Sequence, residues 1–308
     1  MGSRESLTTE MLQIKMRLGN RLLQAGELAA AANYFREVAQ ADPENEEAQR
    51  LLRACSHLSP HDEFAQNASN WLEHRHATEP DNSFWRHHRI RYLNTLVTIF
   101  PHLQHCLSMA NAHRRILELG GGGAFTEALK AFYPGFEVES EEFDLRFPFP
   151  ERIKNGKYDL ILCMEVIEHV IDRPTDSLGW TGTFRGNGVD SMLNECRAML
   201  VNAGPHAQMF ISTPNINNWR AIDNLLHFHH PHTHYAHPRE MAWEDLRGFC
   251  EKAKLDVVAL HYVDSWGNHG LAPDAVARLK RLLTAGGFSV EKREDNIMIL
   301  VRPTHHAE

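Results

Sequence analysis

The chain has 308 residues, of which 43% are hydrophobic and 23% charged, and a formal net charge of -8. That length supports one full α/β domain plus an accessory unit, and the acidic balance disfavours nucleic acid as a partner, since its binding relies on basic patches. No run of 18 apolar residues and no leader-like opening is found, and the five cysteines show no C-x-x-C spacing. The expectation is a cytoplasmic protein without a membrane span, in a reduced compartment and without a thiolate zinc site.

Residues 1–58 read as a separate all-helical unit. Small residues at Ala29 to Ala32 let two helices approach, Gly26 closes the first, and Asp42-Pro43 opens a third. The stretch from Leu18 to Leu52 resembles one tetratricopeptide repeat with its capping helix, a unit that buries its face only when stacked on something. The resemblance leaves open a protein partner, self-association through residues 1–58, or a hairpin that only extends the core. Residues 59–112 read as a helical linker, with an amphipathic helix from Asn82 to Phe100 ending at Pro101 and with Trp85, Arg89 and Tyr92 at roughly helical spacing.

The third and largest unit, residues 113–308, opens with an apolar strand at 116–119 that runs into four glycines, Gly120 to Gly123, and then a helix over 125–133 stopped by Pro134-Gly135. Glycines at such a point take positive φ and allow a nucleotide-like group to touch the backbone. A dinucleotide fingerprint G-x-G-x-x-G would need glycine at 125 or 126, where the chain has Phe125 and Thr126, so the NAD reading fails on spacing. What remains, Glu118-x-Gly120-x-Gly122-x-Ala124, resembles the first motif of class I S-adenosylmethionine-dependent methyltransferases. A second strand from Phe136 ends in Glu141, Glu142 and Asp144. Then come an Asp144-to-Pro150 loop, an apolar strand over 157–163 that leads into Met164, and a strand over 208–212 ending in Thr213-Pro214-Asn215.

These matches, in order, identify the chain as resembling that family from 116 to 215. The resemblance implies a doubly wound, seven-stranded Rossmann-like α/β sheet carrying the N-terminal helical extension. It implies S-adenosylmethionine as cofactor, with Glu118, Gly120, Gly121, Gly122, Glu142, Asp144, Cys163 and Met164 around it. Glu142 is the acid for the ribose hydroxyls and Asp144 the acid facing the adenine amino group. The helices before the first strand would roof the cofactor.

Glu165-Val-Ile-Glu168-His169 offers chemistry for the acceptor. A helix starting near Glu165 would bring Glu168 and His169, at i+3 and i+4, onto its face. The run is similar to the E-x-x-E-H of small-RNA 2′-O-methyltransferases and ubiquinone-biosynthesis O-methyltransferases. That resemblance implies a divalent metal (Mg, Mn, Fe, Co, Ni or Zn) on Glu165, Glu168, His169 and a later histidine. Six histidines lie between positions 227 and 237; the resemblance of Thr233-His234 to those families' G-T-H loop implies His234, with His237, by the H-x-R-E-Y spacing of non-metal relatives, as the alternative. Without metal, His169 or His234 is the general base. Trp180 to Gly188 is either a substrate loop or a connector.

A helix over 245–254, a strand over 255–263, a helix over 272–284 and a strand over 296–301 complete the reading. The expected activity is O-methylation of a hydroxylated small molecule or glycan. The alternative is methylation of a protein or peptide recruited through the N-terminal unit.

Overall fold

The computed structural model describes residues 2–24, 28–43, 45–56, 60–78, 84–121, 123–171, 187–232, 234 and 237–304. The chain divides into two compact units, Met1–Asn67 and Ala68–Glu308. The first holds helices α1 (Gly2–Gln24), α2 (Leu28–Ala41) and α3 (Glu46–Ser56), around a core of Ala31, Ala32, Phe35 and Leu51. Close approach explains Gly19 of α1, where an added Cβ would lie 2.6 Å from the Phe35 ring. Gly26 lies outside the described residues. The unit boundary falls within α4 (Pro60–Thr78).

The second unit continues with α5 (Phe84–Ser108), β1 (Arg115–Leu119), α6 (Ala124–Phe132), β2 (Glu137–Glu141), the single turn α7 (Glu151–Lys154) and β3 (Leu160–Met164). It ends with α8 (Asn187–Ala203), β4 (Gln208–Pro214), α9 (Trp219–Leu226), α10 (Trp243–Lys252), β5 (Leu255–Val263), α11 (Pro273–Ala285) and β6 (Asn296–Pro303). The sheet order is β2-β1-β3-β4-β6-β5, parallel from β2 to β4, with β6 antiparallel to both β4 and β5. Alternation decides the two faces. Leu117, Leu119, Ile161, Cys163, Met209 and Ile211 join one core with α8 and α10. Their neighbours Ile116, Leu160, Leu162 and Phe210 are buried too, so both faces are covered, as a parallel sheet requires.

Three expectations are corrected. The sheet has six strands among the described residues, not seven. Only residues 142–159 separate β2 from β3, prolines 148 and 150 keep part of them irregular, and α7 takes more, leaving no chain for another strand with its crossover. The helix expected to end at Pro101 runs on to Ser108, because Leu103 and Cys106 bury on the same helix and their packing outweighs one lost backbone hydrogen bond. No helix starts at Glu165. That residue is left-handed, φ +53, and only a 3-10 turn, Ile167–His169, follows. No helix among the described residues is long and apolar enough to cross a membrane.

Candidate active site

The parallel sheet reverses direction of winding between β1 and β3, and a cleft opens there at the carboxyl ends of the strands, the usual ligand position in such sheets. The cavity measures 730 Å³ and is floored by Leu119 to Gly121, Gly123 to Phe125, Met164 to Val166 and Pro214. Helix α5 contributes His88, Arg91 and Tyr92, and the segment after β5 contributes Trp266 and His269.

The glycine loop is shaped by two needs. Gly120 has φ +97, and a Cβ there would sit 2.3 Å from Val166 Cγ2, so this glycine is demanded by the protein's own packing. The amides of Gly120 and Gly121 both donate to the Glu141 carbonyl, at 3.0 and 3.1 Å, and are therefore committed to the fold. At Gly123, φ +145, an added Cβ would meet nothing within 4 Å. Its side faces open space. Gly122 lies outside the described residues. At the end of β2, the carboxylate of Glu142 stands beside Gly121, 3.1 Å from where its Cβ would be.

Other predicted cofactor residues have definite partners. Glu118 is buried and accepts a hydrogen bond from the Thr126 hydroxyl, tying β1 to the first turn of α6. Burial raises its carboxyl pKa, against the hydrogen bond and the Arg91 charge. Asp144 is gripped by Arg146, Nε at 2.9 Å and Nη2 at 2.7 Å, which holds its carboxyl below the usual range. Met164 lines the cavity, whereas the Cys163 side chain points into the core.

The Glu165-to-His169 run splits. Glu165 Oε1 accepts from Ser212 Oγ at 2.8 Å and from Asn296 Nδ2 at 2.7 Å, and Oε2 lies 3.7 Å from Arg91 Nη1. Its left-handed backbone turns it away from the pattern a helix would have made. Glu168 is fully buried, with one oxygen accepting from Thr213 Oγ1 at 3.2 Å and the other without a hydrogen-bond partner. Burial, then repulsion from Glu165, pushes its pKa well above the ordinary carboxylate value.

Donor atoms of Glu168, His169 and His237 lie within 4.8 Å of one another. The His169 and His237 rings meet edge to face at 5.0 Å, and the His234 ring lies 4.9 Å from that of His237. Thus the structure brings together Glu168, His169 and the alternative histidine, sets His234 beside them at the cavity wall, and directs Glu165 elsewhere.

Several cavity residues escaped the sequence reading. Arg91 is buried, its guanidinium 5.5 Å from the Tyr92 and the Trp266 ring centroids, and its Nε lacks a hydrogen-bond partner. His88 meets the Trp266 ring edge-on at 4.8 Å. His269 is pushed down to a pKa of about 4 by burial. No motif marks these positions, which converge only through folding. The spacing His237-x-x-Glu240 was a usable signal for Glu240, described below. Residues 172–186, including most of the Trp180-to-Gly188 segment, lie outside the described residues, as does the Trp85 side chain.

A model described as a methyltransferase domain matches residues 85–260. No curated protein matches the chain. Among solved structures, a putative methyltransferase from Bacillus halodurans is 14% identical with a TM-score of 0.34, the match covering 66% of this chain and 99% of that one. The small RNA methyltransferase HEN1 is 13% identical with a TM-score of 0.41, over 70% of this chain and 26% of that one. Magnesium protoporphyrin IX methyltransferase from Synechocystis, with bound S-adenosylhomocysteine, is 10% identical with a TM-score of 0.38, over 78% and 100%. Because the methyltransferase model takes in more than half of the residues, and a glycine-floored cleft opens at the carboxyl ends of a parallel sheet as the motifs imply, the chain belongs to the class I S-adenosylmethionine-dependent methyltransferases.

Proposed function

We propose that this chain methylates a hydroxyl oxygen of a small molecule or glycan, assisted by a divalent cation. The observation that carries the reading is the partnerless, buried oxygen of Glu168 beside the imidazoles of His169 and His237, two residues that line the glycine-floored cavity. A buried carboxyl oxygen without a partner is costly, and a mixed carboxylate and imidazole set fits Mg, Mn, Fe, Co, Ni or Zn.

S-adenosylmethionine supplies a methyl group on a sulfonium that is already a leaving group, so the protein's work is chiefly positioning. Gly123 leaves room for close approach, and Glu142 is the residue to accept the ribose hydroxyls. Asp144 is assigned to the adenine amino group, Met164 to the cavity wall, and Cys163 only through its backbone. Glu168, His169 and His237 would hold the cation, which lowers the pKa of an acceptor hydroxyl and orients it. Glu165 enters as a support, since its oxygens are taken by Ser212, Asn296 and Arg91. His234, which also lines the cavity, is assigned to receive the acceptor's proton. Arg91, Tyr92 and Trp266 also line the cavity and are assigned to exclude water. A cytoplasmic location accords with the four free, buried cysteines among the described residues.

Calorimetry should find S-adenosylmethionine and its demethylated product binding at about micromolar level, near -8 kcal/mol. Mass spectrometry of hydroxylated acceptors incubated with protein and cofactor should show a gain of one methyl, lost with chelator, restored by metal, and absent in His169→Ala while cofactor binding persists. A metal-free preparation turning over at the full rate would leave His169 and His234 as plain acid and base.

A second reading is methylation of a protein or peptide recruited by the tetratricopeptide-like residues 1–58. It is favoured by the exposed Met11, Ile14 and Leu18, spaced as one apolar stripe on α1. Removing residues 1–58 should spare turnover of a small-molecule acceptor and abolish that of a recruited protein.

A further inference from the structure

We propose that Glu240 is the positioning residue of the cation site, fixing the His237 ring so that one of its nitrogens is kept available as a ligand. The inference rests on the metal reading above. Glu240 is buried, and its Oε1 accepts from His237 Nδ1 at 2.8 Å and from the His234 backbone N–H at 3.1 Å. A single carboxylate oxygen therefore holds both histidines of this wall.

The carboxylate is itself well mounted. The next residue, Met241, donates from its amide to the Pro214 carbonyl at 3.4 Å, and its carbonyl accepts from Ile216 N at 3.1 Å. Met241 also forms a bridge with Asn215. The segment carrying Glu240 is thereby pinned to the carboxyl end of β4, the strand that also supplies Thr213 to Glu168. Residues 227–230 upstream are exposed, and this anchor relates His234 and His237 to the sheet.

The chemistry follows from imidazole having two nitrogens. A carboxylate only accepts, so the hydrogen bond places the proton on Nδ1 and leaves the lone pair on Nε2. The same contact restricts ring rotation, and a negative partner makes Nε2 more basic toward a cation. Glu240 needs no contact with the metal, the cofactor or the acceptor to do this.

The test uses the full-length protein, stripped with chelator and titrated with cobalt(II), read by calorimetry and by the visible absorption of the bound ion. S-adenosylmethionine affinity is measured in parallel. Glu240→Ala should weaken cobalt binding about ten- to hundredfold and change the absorption spectrum, with cofactor affinity unchanged. Glu240→Gln should lose less, because its amide oxygen still accepts from Nδ1. Should Glu240→Ala fail to fold, Glu240→Gln decides alone, and an affinity and spectrum equal to the wild type overturn the proposal. Equal cobalt affinity in Glu240→Ala overturns it too, as does a parallel loss of cofactor affinity, which marks a merely structural role. A wild-type protein that takes up no cobalt overturns the metal reading itself, whereas wild-type binding that survives in Glu240→Ala overturns only the role of Glu240.

Discussion

Asn296, the first residue of β6, donates from Nδ2 to Glu165 Oε1 at 2.7 Å, joining the last strand to the residue that leaves β3. Glu165 thereby collects a donor from β6, one from Ser212 of β4 and the charge of Arg91 from α5. Three elements converge on one carboxylate. Removing the carboxylate should cost more than removing its cation. Glu165→Ala strands a buried guanidinium and two neutral donors, at a cost of about 3–5 kcal/mol, whereas Arg91→Met leaves Glu165 still bonded by Ser212 and Asn296 and costs about 1–2 kcal/mol. Denaturant unfolding of the two variants checks the order, and equal losses would refute it.

Gly120 and Val166 should be coupled in the same way. Gly120→Ala forces a Cβ into Val166 Cγ2 at a positive φ, at a cost of about 2–4 kcal/mol. Adding Val166→Ala relieves the clash but not the backbone strain. The double variant should therefore unfold at a higher denaturant midpoint than Gly120→Ala alone, by a double-mutant cycle.

Glu168 opposes stability where the chain works. Its folded pKa lies above its unfolded one, so its contribution is full in acid, below the ordinary carboxylate pKa, and is lost as pH rises toward the folded value. Glu168→Gln, neutral at every pH, should be more stable than the wild type near neutrality, and this gain should shrink as pH falls. Melting temperatures across the pH range decide this, and cation binding should be lost in the same variant.

His269 titrates in the opposite sense. Burial lowers its pKa to about 4, and its Nε2 lies 3.6 Å from Asp295 Oδ1, beyond hydrogen-bond reach. Between the ordinary imidazole pKa and that value, the unfolded state binds the proton the folded state refuses, so stability falls as the solution is acidified. His269→Gln should flatten the fall in melting temperature over that window. An unchanged slope would assign the loss to other groups.

Local rules made most of the framework legible in the sequence. The strand at 116–119, the glycines after it, the buried apolar strands and the last two strands all follow from alternation, continuous apolar runs and backbone freedom, which neighbouring residues determine among themselves. The sixth strand closed the sheet because the chain between Glu141 and Leu160 is too short to house a seventh, a limit visible in the residue count. The chemistry was less legible. Glu165, Glu168 and His169 lie within five positions, yet a left-handed φ at Glu165 sends one carboxylate toward Arg91 and leaves the other two groups to meet His237. Whether His234 or His237 completes that group, and that Glu240 holds them both, depended on pairing Met241 with the end of β4. Sequence spacing fixes which side chains share an element, but a site built from α5, β3, β4, β6 and two loops is specified by packing between elements, and those distances exist only once the chain has folded.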